Sequence, residues 1–323
     1  MAKKTTSRFP KAMPEYKLHT LIEDMASETY HGISGTYSSS QFKDLLDDEV
    51  TFHKKYVEKS IEREEVPAFS VGSYFHTGVL EPHKLDLEYA VYQGKVRRGA
   101  EWDTFKTKHD GKAIVTSNQR DEALRLVDSV NKSSVAMSYV KRGKPEVSLF
   151  VSLWVKGGEI YAPIYNKRLD RKYGWTDFDV VTAKFKDAVK LVVKVRADSL
   201  GDDFVLDLKS TSGNARSERS MRSKVSYYNY DLSASLYLDM FSLEAGKPIE
   251  DFIWTFASKD YYNCKSYRAS ETNRMIGRAK WMQAVVKLAD CLGNEWDIPD
   301  VLGTLEPEYF QLEYLNEKDS DLL

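Results

Sequence analysis

Apolar positions first fall into register behind Ser38–Ser40, whose hydroxyls are suited to capping a helix. Phe42, Leu45, Leu46, Phe52 and Tyr56 then recur at close to helical spacing, and the pattern fades near Ser60. Ahead of it, residues 1–17 are polar and aperiodic and are expected to form a flexible arm, with a short helix following near Lys17–Thr29. A second helical stretch, Val71–Leu80, is closed by Glu81-Pro82, because proline disfavours helical geometry in the residue before it. Between Leu85 and Lys112 the pattern predicts a short strand and then a long basic loop. Thr116 or Ser117 caps a helix running to about Asn131, with Ala123, Leu124 and Val127 as its buried stripe.

From Glu146 the texture becomes that of strands. Glu146–Val155, Ile160–Ile164, Leu191–Ala197 and Phe204–Lys209 are apolar runs, with Gly157-Gly158 and Gly201-Asp202 as turn signals between them. A helix is expected at about Tyr227–Leu243, a buried strand at Phe252–Ala257, and a final helix at Thr272–Leu292. In that last helix Met275, Ile276, Ala279, Met282, Val286 and Ala289 are expected to face inward. The order of elements predicts an α/β fold, a mixed central sheet flanked by helices. One domain is expected over 33–300, between an arm with a short helix (1–32) and an acidic tail (301–323).

Composition changes this picture little. With 42% hydrophobic and 30% charged residues, the 323-residue chain reads as globular, and no apolar stretch is long enough to span a membrane. The N-terminus has charge but no apolar segment behind it, so a secretory signal is not expected and the cytoplasm is the expected location. Two cysteines, Cys264 and Cys291, supply neither a disulfide framework nor the ligands of an iron–sulfur cluster. The net charge of −2 argues against bulk attraction to nucleic acid, but two segments are locally basic. One holds Lys95, Arg97 and Arg98 before Trp102; the other holds Arg216, Arg219, Arg222 and Lys224.

The segment with the most chemistry is VKVRADSLGDDFVLDLKS, residues 193–210. An apolar strand ends at Asp198, the chain turns at Gly201-Asp202, and a second strand delivers Asp207 and Lys209 to one face while Phe204, Leu206 and Leu208 take the other. Across such a hairpin Asp198 can approach Asp207, offering hard oxygen ligands of the kind Mg²⁺ prefers, with the Leu208 carbonyl as a candidate third. Lys209 would position or deprotonate an attacking water, and Glu146 and His76 are candidates to complete the site. Singly, an Asp-x-Lys pair is more often a surface ion pair, paired aspartates more often form turns, and a lone histidine is more often structural. The ordered set, flanked by hydrophobic strands, favours a site.

That ordered set resembles the RecE-like (exonuclease VIII-type) phage recombination exonucleases, a branch of the PD-(D/E)xK nucleases. The likeness runs from about Ile33 to Trp296: Ile33-Ser34, Gly72 to His76 continuing into Val79-Leu80-Glu81-Pro82, Arg97-Arg98-Gly99 with Trp102, and Glu146. It continues through Arg196-Ala197-Asp198, Leu206-Asp207-Leu208-Lys209-Ser210-Thr211, and Tyr230-Asp231-Leu232 with Ala234 and Tyr237-Leu238-Asp239. The resemblance implies a PD-(D/E)xK core, metal ligation by His76, Asp198 and Asp207, a catalytic Lys209 and a further acidic Glu146. It also implies Mg²⁺, replaceable by Mn²⁺, as cofactor, and 5′-to-3′ degradation of one strand of linear duplex DNA, leaving 3′ tails for a single-strand annealing protein. A homo-oligomeric ring around DNA is implied too, with Arg97, Arg98, Arg196, Arg216, Arg219, Arg222, Lys224 and Tyr230 as the expected DNA contacts.

The chain departs from the pattern twice. Ser233 stands where the family often has glutamine in Tyr-x-x-Gln, and the interval from Glu146 to Asp198 holds an extra polar stretch, Asn166–Asp187. A structure-specific or restriction-type endonuclease, or a non-catalytic DNA-binding module with the same fold, are the competing expectations.

Overall fold

The computed structural model describes residues 19–23, 25–61, 67–94, 96–162, 167–170, 174–177 and 188–298. The arm over 1–17, the acidic tail over 301–323, Lys95 and much of Asn166–Asp187 lie outside the described residues. The strands are β1 (His19–Ile22), β2 (Tyr89–Tyr92), β3 (Ala113–Thr116), β4 (Lys144–Lys156), β5 (Glu159–Ala162), β6 (Lys167–Asp170) and β7 (Gly174–Asp177). They continue with β8 (Val189–Leu200), β9 (Phe204–Thr211), β10 (Asp251–Ser258) and β11 (Cys264–Arg268).

Among the described residues one sheet of nine strands runs β11-β10-β9-β8-β4-β5-β6-β7, with β1 also paired to β4, and β2 and β3 form a separate parallel pair. Within the large sheet only β9 and β10 pair in parallel, Asp207 opposite Trp254 and Lys209 opposite Phe256. Such a pair needs a crossover, and the helices Glu218–Tyr227 and Tyr230–Ala245 make it. The β4–β5 connection is the Gly157-Gly158 turn, both residues at positive φ (56° and 76°), a conformation open to glycine and the one a two-residue hairpin requires.

Each face of the sheet carries its own core. On one, Val147, Leu149, Val151, Val193, Val195, Ala197, Val205 and Trp254 pack against the helices Ser39–Asp47, Tyr230–Ala245 and Glu271–Gly293. On the other, Phe204, Leu206, Leu208 and Ile253 meet Phe75 and Val79 of the helix Pro67–Leu80 and Leu126 and Val130 of the helix Ser117–Asn131. The expected architecture of helices around a mixed sheet is the observed one, and Phe204, Leu206 and Leu208 share a face as alternation requires.

Several local expectations are corrected. Near Lys17–Thr29 the described chain forms β1 and then a helix at Ser27–Gly32, because His19–Ile22 finds a ladder partner on β4. The helix behind Ser38 is interrupted: Gln41 Oε1 accepts from the Ser38 N–H at 2.9 Å at its start, and Asp48 ends it by capping a new turn at Glu49–Phe52. The long basic loop expected before Lys112 is helical over Ala100–Lys108, and the second basic segment, which carried no assigned element, lies largely on the helix Glu218–Tyr227. The helix Ser134–Arg142 and the polar edge strand β11 have no counterpart in the pattern. Leu124 is 41% exposed, its place in the buried stripe taken by Leu126 and Val130. In the last helix Ile276 and Ala279 face solvent, because the inward face is centred on Trp281, Val285 and Leu288.

That last helix packs on Tyr230–Ala245 at very short range. A Cβ on Gly277 would stand 1.9 Å from the Asp231 carbonyl oxygen, so glycine is required there, whereas Gly72 has nothing within 4 Å of the same position. Across the sheet, Lys194 is buried in β8, donating from Nζ to the Tyr30 carbonyl at 2.9 Å. Burial lowers its ammonium to about 8, below the unfolded value of about 10.4.

Gly277→Ala is expected to destabilise the protein by about 1–3 kcal/mol in urea unfolding by forcing these helices apart, while Gly72→Ala stabilises it by about 0.4–1 kcal/mol through the unfolded chain. Between pH 8 and about 10 the unfolded chain holds a proton that folded Lys194 has released, so stability attributable to Lys194 rises with pH across that window. Melting curves of wild type and Lys194→Met should diverge there; parallel curves would refute the assignment.

Candidate metal centre

The site forms where β8 and β9 part. Their ladder contains Leu200↔Val205 and Ser199↔Leu206 and stops one step before Asp198 would face Asp207. Beyond that point the Asp198 carboxylate takes over the role of the departed strand, its Oδ2 accepting from the Leu208 N–H at 2.6 Å. In a strand the N–H and C=O of one residue point to the same side, so the Leu208 carbonyl opens on the same gap. By alternation with Ala197, Asp198 lies on the side of the helix Pro67–Leu80; Asp207 and Lys209 alternate with Leu208 toward Tyr230.

From the helix Pro67–Leu80, His76 brings Nδ1 to 3.4 Å from Asp198 Oδ2. From β4 comes Glu146, at the step opposite Asp198 between the pairs Pro145↔Ser199 and Val147↔Ala197. Its φ of 54° is left-handed, a conformation that costs a non-glycine residue about 1–3 kcal/mol and collects at functional sites. His76, Glu146 and Asp198 each offer a ligand atom, and the three lie within 4.8 Å of one another. Asp207 is outside that trio: Lys209 Nζ donates to its Oδ1 at 2.6 Å, and its Oδ2 is buried with no hydrogen-bond partner among the described residues.

Electrostatics divide these groups. Burial and the charge of Asp198 push Glu146 upward, against the pull of Arg196, whose Nε is 2.5 Å from Glu146 Oε2. Burial also raises Asp207, with Lys209 offsetting part of the effect. Asp198 is lowered, because His76 and the Leu208 N–H outweigh its desolvation. Burial opposes charge on His76, but Asp198 overcomes it and the imidazole is raised. Lys209 is desolvated too, yet Asp207, Asp198 and Tyr230 hold it well above the ordinary lysine range.

Two half-buried carboxylates and a half-buried imidazole, beside the buried Asp207 with one oxygen unsatisfied among the described residues, form a donor set that fits a divalent cation of the Mg²⁺ or Mn²⁺ kind, the nitrogen favouring the transition metal. Two further members of the neighbourhood are Lys43, which the sequence does not single out, and Tyr237, named there only within the Tyr237-Leu238-Asp239 motif. Lys43, on the helix Ser39–Asp47, places Nζ 5.2 Å from the Tyr230 ring centre and is lowered to about 8 by burial and by Lys209. Tyr237 is pushed up to about 12 by burial and the charge of Asp207. Lys43 borders the stripe Phe42, Leu45 and Leu46, where a lysine ordinarily lays its stem on the core edge, so its spacing carries no signal.

The other expected DNA contacts are spread out. Arg97 is tied to the Ile114 carbonyl at 3.1 Å and Gln119 Oε1 at 2.9 Å, and Arg98 is exposed beside it. Arg196 is held by Glu146 and lies over the Tyr30 ring. Arg216, Arg219 and Arg222 are exposed, and Lys224 donates to Ser212 Oγ at 3.1 Å. Tyr230 lies beside Lys209, 5.4 Å from Nζ to ring centre.

A family described as a PDDEXK-like domain of unknown function (DUF3799) matches residues 38–158, about a third of the chain. No curated protein matches. Among solved structures the fold is similar to that of a candidate exonuclease from Eubacterium rectale, at 14% identity over 90% of this chain and 97% of that one, with a TM-score of 0.54. The protein SSO0001 (13% identity, 75% and 83% covered) and Rai1 of Scheffersomyces stipitis (12%, 80% and 67%) align at TM-scores of only 0.23 and 0.22. The mixed α/β fold is therefore of the PD-(D/E)xK type.

Calorimetric titration with Mn²⁺ should show His76→Ala losing roughly tenfold or more in metal affinity, with DNA affinity in EDTA little changed. Equal losses of both would make His76 a structural residue.

Proposed function

We propose that this protein is a divalent-metal-dependent DNA nuclease, and within that class an exonuclease that degrades linear duplex DNA 5′-to-3′ to leave 3′ single-stranded tails. The observation that carries the nuclease reading is the convergence of His76, Glu146 and Asp198 within 4.8 Å beside the Asp207–Lys209 pair. Fold similarity to PD-(D/E)xK proteins supports it. The narrowing to a RecE-like enzyme rests on the ordered sequence motifs, as do the expected ring, the annealing partner and the phage setting.

In this reading His76, Glu146, Asp198, Asp207 and the Leu208 carbonyl would hold Mg²⁺ or Mn²⁺. Such an ion supplies Lewis-acid polarisation of a phosphoryl oxygen and a lowered pKa for water. The chain's own part is positioning and charge. Lys209, kept protonated by its carboxylate neighbours, donates a hydrogen bond to a water or a phosphoryl oxygen and offsets charge that builds up as the phosphodiester is attacked. Asp207 fixes its ammonium. Arg196 orients Glu146, and the Leu208 N–H orients Asp198. The exposed Arg216, Arg219 and Arg222 are placed to meet backbone phosphates. No helix of the described residues is long and apolar enough to cross a membrane.

Linear duplex labelled at either end, incubated with Mg²⁺ or Mn²⁺ beside a closed circle, tests each level. Release of nucleotides from 5′ ends with the circle intact is the expected result; nicked circles would point to an endonuclease, and no release from any substrate would end the enzymatic reading. Asp207→Ala and Lys209→Ala are expected to lower the rate by roughly 10³-fold or more while the fold persists.

A further inference from the structure

Three tyrosines cluster at the break between the helices Glu218–Tyr227 and Tyr230–Ala245. Tyr227 is 79% exposed, Tyr228 47% exposed, and Tyr230 is half-buried. Residues two apart on a continuous helix point about 200° apart and cannot meet. Here Asn229, at φ 48° and ψ 44°, turns the chain left-handed between the helices, and the rings of Tyr228 and Tyr230 stack at 5.4 Å with 25° between their planes. Tyr227 meets Tyr228 edge-on at 4.9 Å. Lys280 Nζ holds the bend by donating to Asn229 Oδ1 at 2.7 Å.

This exposed aromatic series has charge on both sides. Behind it, the Tyr230 ring lies beside Lys209 and Lys43, at the edge of the candidate metal centre. Ahead of it, the helix Glu218–Tyr227 presents exposed Arg219 and Arg222. Large aromatic rings left in water are costly to keep unless something covers them. Flat rings flanked by cations match one chemistry above others, a nucleic-acid strand whose bases are unpaired. Duplex bases are stacked on each other and offer no free face to a tyrosine, whereas every unpaired base does.

We propose that Tyr227, Tyr228 and Tyr230 form a stacking platform for unpaired bases of a DNA strand, with Arg219 and Arg222 on its phosphates, next to the metal centre. The platform rests on the nuclease reading for the identity of its ligand. It implies that the strand reaches Lys209 already separated from its complement, so that a frayed or single-stranded end is bound in preference to a paired one.

The test measures binding without cleavage. Wild type in EDTA is titrated with a fluorescent oligothymidylate, an abasic oligonucleotide of the same length, and a blunt duplex. Tyr228→Ala is expected to bind oligothymidylate about 5- to 100-fold more weakly while keeping its salt dependence, since its phosphate contacts remain. Tyr228→Phe should restore affinity, and wild type should bind the abasic strand at least as weakly as the alanine variant binds the normal one. Arg219→Ala with Arg222→Ala should lower the salt slope for both strands alike. Equal affinity of wild type for normal and abasic strands, or no loss in both Tyr228→Ala and Tyr227→Ala with melting temperatures unchanged, overturns the platform. Because no metal is present, these results are independent of whether the protein cuts DNA, so loss of the platform and loss of the nuclease reading are distinguishable.

Discussion

Everything at the candidate centre depends on β8 and β9 ceasing to pair after Ser199↔Leu206. A strand that loses its neighbour leaves backbone donors and acceptors unsatisfied, and burying them is expensive. The Asp198 carboxylate answers one of those donors, the Leu208 N–H. In doing so it is carried into the protein as a desolvated charge, which in turn draws in His76 and couples to Asp207 and Lys209. The opening of the sheet and the assembly of the charged cluster are thus one event. β10 makes it tolerable, because its parallel pairing holds β9 from Phe204 to Thr211 however far β8 diverges.

The cluster is not balanced by itself. Glu146 and Asp207 are driven toward their neutral forms and Asp198 toward its charged form, and one oxygen of Asp207 is left without a partner among the described residues. Environments that push neighbouring carboxylates apart in this way are characteristic of sites where charge is exchanged with a bound species. The left-handed Glu146 adds strain at the same point, paid back by the rigidity of the long ladder between β4 and β8.

Much of this is legible in the amino-acid sequence alone. The apolar runs around Asp198 and Asp207 were bounded by turn residues, so the strands and their alternation followed from period alone. What was hidden depended on partners distant in sequence. Ala100–Lys108 and Glu218–Tyr227 are charge-rich helices with few apolar anchors, and Cys264–Arg268 is a polar edge strand, so each reads locally as loop. In Glu271–Gly293, Met282 and Ala289 face inward as their spacing implies, but Ile276 and Ala279 do not, because Gly277, with no side chain, marks the closest helix contact. At the site, His76 and Glu146 could be named from the sequence, but their closeness to Asp198, and the separate engagement of Asp207 by Lys209, are tertiary facts. Lys43 carried no local signal.

The order of strands also bears on how this chain can vary. The polar stretch between β5 and β8 forms β6 and β7 at the far margin of the sheet, four steps from β8 by way of β4, β5 and β6. At about 4.8 Å per step that margin stands ~19 Å from the strand bearing Asp198. Strands can be gained, lost or lengthened there without altering a single ladder bond that positions the carboxylates. The long interval between Glu146 and Asp198 is therefore a region where new surface can be acquired cheaply, beside a chemistry that stays fixed.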